Sequence, residues 1–114
     1  MWEVFLMQWD ELQKLHQDMT VDEANLLFSK GKEYASDADA LSNFKKRALD
    51  VGVSPKQIAW IFMAKHLDSI RSFIANGVTY SNEPIEGRIA DARNYLALLN
   101  ALIQDEKTAT KVLK

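Results

Sequence analysis

The sequence predicts an all-α fold: a helical bundle of four to five helices around a central buried helix at about residues 55–76. Three observations carry that expectation. Apolar residues recur at three- and four-residue spacing through most of the chain. Helix start and stop signals punctuate those runs. No stretch shows the strict alternation of a half-buried strand. With 114 residues, 47% of them hydrophobic, the chain has the length and the apolar content of one domain with its own core.

From the N-terminus, Trp2, Phe5, Leu6, Trp9, Leu12 and Leu15 lie at helical spacing and predict a helix over about residues 2–17. Its aromatic stripe is either core or an interface, since exposed aromatic residues favour contact surfaces. Thr20-Val21-Asp22-Glu23 has the spacing of a capping box and predicts a second helix to about Tyr34, with Ala24, Leu27 and Phe28 inward. Gly31 is expected to fray or kink its end. A polar turn follows. A third helix is expected at about 38–50, capped by Asp37 or Asp39 and stopped by Gly52.

The clearest start signal is Ser54-Pro55-Lys56-Gln57. Ser54 is an N-cap, Pro55 suits the first helical position, and Gln57 completes a capping box. Gly77 closes that helix. Its front half, Ile58 to Ala64, is apolar on nearly every side and predicts burial. Pro84 opens a last helix with Ile85, Ile89, Ala92, Leu96, Leu99 and Ile103 as its buried stripe. The tail at 107–114 is polar and expected to fray.

Composition excludes several functions. The chain has no cysteine, so thiolate metal sites, cysteine nucleophiles and disulfides are out. A net charge of −2 disfavours nucleic-acid binding, which needs a basic surface to neutralise phosphates. No apolar run reaches the ~20 residues of a membrane span, and the N-terminus lacks the basic start of a signal peptide. These features predict no membrane partner and a cytoplasmic location.

The polar residues with chemical potential lie on the two long helices. On the 55–76 helix, Lys65, Asp68, Ser69 and Ser72 share a sector that continues a buried face. His66 lies among Phe62, Ile70 and Phe73, as a packed residue or a ligand. On the last helix, Arg88, Asp91 and Tyr95 are spaced to meet one another. Lys65, Asp68, Arg88 and Asp91 therefore form either an interhelical ion-pair network or a cleft for a phosphate and a divalent cation. Glu83 and Glu86 suit the first turn of the last helix, where acids complement its dipole. Among Glu33, Tyr34, Asp37, Asp39 and Asn43, the acids cap the next helix or cover a cleft.

An ordered set of motifs carries a resemblance. Lys32-Glu33-Tyr34, Leu41-Ser42-Asn43-Phe44, Ala64-Lys65-His66-Leu67-Asp68 and the run from Glu83 through Gly87-Arg88 to Asn94-Tyr95 are similar to small phage proteins of the nucleotide modification associated domain 1 family. The similarity spans roughly residues 25–105. That family resembles, more distantly, the MazG-like all-α nucleoside triphosphate pyrophosphohydrolases, which hold magnesium on helical carboxylates. The resemblance implies a homo-oligomeric helical bundle in the host cytoplasm that binds a nucleotide or nucleotide-like phosphate, with weak pyrophosphohydrolase activity. It implies ligand contacts at Lys65, His66, Arg88, Asn94 and Tyr34, and Mg²⁺ at Asp68 and Asp91. The chain departs from the hydrolase pattern at Arg88, which stands where a glutamate paired with Asp91 is needed. The alternative function is a non-enzymatic module, for example a phage inhibitor of a host protein, with Trp2, Phe5, Trp9, Asp37 and Asp39 at the interface.

Overall fold

The computed structural model describes residues 6–34, 39–79 and 82–113, and within them the side chains of 6–31, 39–79 and 82–110. Four helices form: α1 (Trp9–Tyr34), α2 (Ser42–Val51), α3 (Pro55–Asn76) and α4 (Ile85–Leu113). The all-α bundle is as expected, at the lower of the two helix counts.

One expected helix boundary is absent. Residues 9–34 form one continuous helix, so the Thr20 capping box does not exist. The Thr20 hydroxyl instead donates to the His16 carbonyl at 2.8 Å, the bond a threonine makes inside a helix. Glu23 points to Arg93 rather than back to Thr20, at 3.0 Å. A cap needs extended backbone at Thr20, and neither glycine nor proline interrupts the helix there. Gly31 likewise lies within the helix without ending it.

The other signals hold more closely. Asp39 accepts the Leu41 N–H at 2.9 Å and the Lys45 ammonium at 2.7 Å, organising the entry to α2. Asp37, the other expected cap, lies outside the described residues. Gly52 and Gly77 close α2 and α3 with left-handed φ of 74° each, which favours glycine. At α3 both capping-box bonds form: Gln57 N–H to Ser54 Oγ at 3.2 Å and Ser54 N–H to Gln57 Oε1 at 2.8 Å. α4 begins right after Pro84 and runs to Leu113, so the helix continues into the segment expected to fray. A Lys56–Glu106 salt bridge at 2.9 Å ties its distal half to the start of α3.

α3 and α4 form an antiparallel hairpin. The contact order shows it: Lys56 meets Glu106, Phe62 approaches Tyr95, and His66 meets Asp91. α2 packs on α3 through Phe44, Ala48, Ile58 and Ala59, joined by Leu102 of α4. Lys45 also reaches Asp105 at 3.3 Å. α1 is fastened to α4 by the Glu23–Arg93 pair and by Asn94 Nδ2, which donates to the Glu23 carbonyl at 3.1 Å.

Burial departs from expectation in three places. α3 is central but not buried all round: Trp60 and Ile61 are 57% and 55% exposed, because α2 and α4 cover only part of its circumference. On α4, Leu102 and the half-buried Tyr95, Leu98 and Leu99 face the core, while Leu96 is exposed. Half of that helix's circumference is apolar, and the docking of α2 selects which edge is covered. Residues 6–18, which include the first turns of α1, are all exposed, and Trp9 is 86% exposed. The described part of the stripe, Leu6, Trp9, Leu12 and Leu15, is therefore not core. Leu26 and Leu27 turn inward, and Phe28 does not. Trp2 and Phe5 lie outside the described residues. Among the described residues no helix is long and apolar enough to cross a membrane.

Candidate functional site

The helices enclose a cleft of about 400 Å³, within the range of small-molecule sites. α1 contributes Leu26, Leu27 and Lys30, and α2 contributes Asn43 and Phe44. From α3 come Phe62, Lys65 and His66, and from α4 Asp91, Asn94, Tyr95 and Leu98. Its floor is apolar and aromatic. Phe62 lies 6.3 Å from Phe44 and 6.4 Å from Tyr95, ring centre to ring centre. The two lysines sit on its exposed edge.

His66 is the hub of the polar side. Its ring stacks on Tyr95 at 5.5 Å, and it is only 6% exposed. Arg88 Nη1 lies 3.2 Å from His66 Nδ1. An arginine can only donate, so Nδ1 accepts and the ring proton sits on Nε2. Asp91 Oδ2 is 3.7 Å from the same nitrogen, too far for a hydrogen bond. Arg88 Nη2 also pairs with Glu83 at 3.2 Å.

Electrostatics agree with a neutral ring. Burial holds the His66 pKa below its usual 6.5. The Asp91 carboxylate opposes this, and the Lys65 and Arg88 cations reinforce it. The His66–Asp91 contact is therefore not an ion pair at neutral pH. Burial, and secondarily Asp91, push the Tyr95 phenol above its usual 10.0.

Of the residues expected at the site, Lys65, His66, Asp91 and Asn94 line one cleft. Arg88 stands behind it, reaching it through His66. Asp68 does not take part. It follows His66 by two residues, about 200° around the helix, and its exposed side chain approaches Arg71 at 3.7 Å. The expected seam of Lys65, Asp68, Arg88 and Asp91 is thus corrected, with His66 in place of Asp68. Tyr34 is the last residue of α1, but its side chain lies outside the described residues. Asp39 is held by Leu41 and Lys45 rather than over the cleft. Glu83 folds back on Arg88 over Gly87, where an added Cβ would come within 3.3 Å of its carboxylate.

Sequence reasoning missed Lys30 and, as a cleft wall, Asn43. Lys30 lies three and four residues beyond Leu27 and Leu26, so it continues the inward face of α1. That face becomes visible only once α1 is one helix. Among the described residues no group of three or more histidines and carboxylates is placed to hold a metal ion. No family model, curated protein or solved structure matches the chain.

Proposed function

We propose that the cleft binds a nucleotide or a nucleotide-like phosphate. One observation carries the reading. Lys30 and Lys65 stand at the edge of an aromatic-walled cleft, and neither has a carboxylate within ion-pair distance among the described residues. Two such ammonium groups attract a phosphate, and a flat base suits the apolar floor. Asn94, Asp91 and the Nε2–H of His66 supply the polar contacts that orient a ligand. The resemblance to the nucleotide modification associated domain 1 family supports the same class. Arg88 keeps His66 in its accepting tautomer rather than touching phosphate.

Among the described residues Asp91 is the one carboxylate lining the cleft. That fits a Mg²⁺ carried in by phosphates, which commonly keeps only one or two protein carboxylates. It does not fit a resident two-metal centre, so binding, not hydrolysis, is the function proposed.

A thermal-shift series of nucleoside mono-, di- and triphosphates, with and without Mg²⁺, tests this. A bound nucleotide stabilises by about 2.7 kcal/mol at a hundredfold excess over its Kd. The double variant Lys30→Ala, Lys65→Ala should lose the shift and keep its fold, because both side chains are exposed. No shift with any nucleotide overturns the proposal.

A second reading, a protein-binding module, is favoured by one feature: the α1 stripe of Trp9, Leu12 and Leu15, exposed with its neighbours over residues 6–18. Under it, Trp9→Ser abolishes partner binding and leaves the nucleotide response unchanged.

A further inference from the structure

The four helices are not held alike. Phe44, Ala48, Ile58, Ala59 and Leu102 form the buried apolar cluster, and all of them come from α2, α3 and α4. Among the described residues, α1 adds none to that cluster or to the apolar side chains packed on it. Yet α1 forms one wall of the cleft. Leu26, Leu27 and Lys30 line it, and both leucines are only half-buried. That wall therefore stands against a core it does not join.

Its fastening is polar. Glu23 is the one buried residue in the described part of α1, at 7% exposed. Its Oε1 lies 3.0 Å from Arg93 Nη1, but at an angle that leaves this oxygen without a hydrogen bond. Asn94 donates to the Glu23 carbonyl, and Arg93 Nη1 reaches Met19 Sδ at 3.9 Å. Burying an ion pair takes both charges out of water, and that cost offsets much of their attraction unless the geometry is good. Undocking returns Glu23 and Arg93 to water and uncovers no fully buried apolar residue of α1. The docked and undocked states therefore lie close in free energy. A helix without tertiary contacts is only marginally stable in water, so its amides exchange from the undocked state.

We infer that residues 20–31 of α1 are a lid on the cleft. They detach from α4 as a unit while α2, α3 and α4 stay folded, and a phosphate bridging Lys30 and Lys65 holds them closed. The charges set the direction of that response. Lys30 is on α1 and Lys65 on α3, and both stand at the exposed edge of one cleft. Two like charges repel, which favours opening; an anion between them attracts both and draws α1 onto α3. The closure by phosphate rests on the nucleotide reading of the cleft, whereas the opening does not.

Native-state hydrogen exchange of the whole chain, read amide by amide, tests the inference. Without nucleotide, amides at 20–30 should exchange as a block, about tenfold or more faster than those at 58–66. Arg93→Met leaves the Glu23 charge buried and unpaired in the docked state. It should speed the block by a further factor of about ten and leave 58–66 unchanged. The double variant Glu23→Met, Arg93→Met replaces the pair with apolar side chains and should slow the block below its wild-type rate. Equal protection at 20–30 and 58–66 in the wild type overturns the lid, as does an Arg93→Met effect of the same size in both. ATP, GTP, CTP and UTP with Mg²⁺ then separate the lid from the ligand. A triphosphate that raises the melting temperature should also slow the block. One that raises it and leaves the block unchanged overturns the closure and keeps nucleotide binding. If none raises it, nucleotide binding and the bridging phosphate fall together, and the nucleotide-free rates decide the opening.

Discussion

His66 owes its chemistry to its surroundings. Sequence leaves it as a packed residue or a ligand; the fold makes it both a stacking partner for Tyr95 and the acceptor of an arginine proton. A pH dependence follows. The unfolded chain takes up a proton on this ring near 6.5, and the folded chain resists it. The stability His66 contributes is therefore present above about pH 6.5 and is lost as pH falls through 6.5 towards the depressed folded value. The melting temperature should drop between about pH 7.5 and pH 5.5, and His66→Gln should flatten that slope. An equal slope in wild type and variant would show that the ring is not held neutral. Lys65 and Asp91 were legible as candidates because polar groups beside a buried stripe must face a partner or a cavity, whereas His66 stood out as a histidine on an apolar face and Asn94 only through the family resemblance. Lys30 was not, because its role depends on how α1 lies against α4.

The helices separate two signals that look alike in sequence. Ser54-Pro55-Lys56-Gln57 and Thr20-Val21-Asp22-Glu23 share the capping-box spacing, yet only the first makes the bonds. Pro55 removes a donor that has no intrahelical partner and blocks continuation from upstream. Nothing does so at Thr20. The two sites should respond oppositely to alanine. Ser54→Ala should cost about 1 kcal/mol of unfolding free energy. Thr20→Ala should be neutral or stabilising by up to about 0.5 kcal/mol, since alanine is the better residue inside a helix. Denaturant unfolding of both variants measures this. A loss at Thr20 as large as that at Ser54 would mean that α1 is broken there.

At the scale of the molecule, order is unevenly distributed. The chain extends 63 × 31 × 26 Å with a radius of gyration of 17.4 Å, against about 13 Å for a compact domain of this length. The projecting turns of α1 explain part of the difference. Backbone hydrogen bonds unsupported by packing open readily. Amides at 9–18 should therefore exchange with deuterium faster than those at 20–30 of the same helix, and much faster than those at 58–66 beside the core. Equal protection along α1 would show that another surface holds its first turns, in line with the protein-binding reading.

The sequence alone determined the helical class, the bounds of α3 and both glycine stops. Those depend on interactions within a few residues: hydroxyl caps, a proline's fixed φ, and glycine's tolerance of a positive one. It also pointed to the polar edges of α3 and α4 as part of a candidate site. Only the tertiary structure decided that residues 9–34 are one helix, that His66 replaces Asp68 in the cleft, and that Trp60, Ile74 and Leu96 face outward. Each of these depends on which edge of an apolar helix another helix covers. Where the apolar positions wrap more than half the circumference, periodicity cannot choose the edge, and packing does.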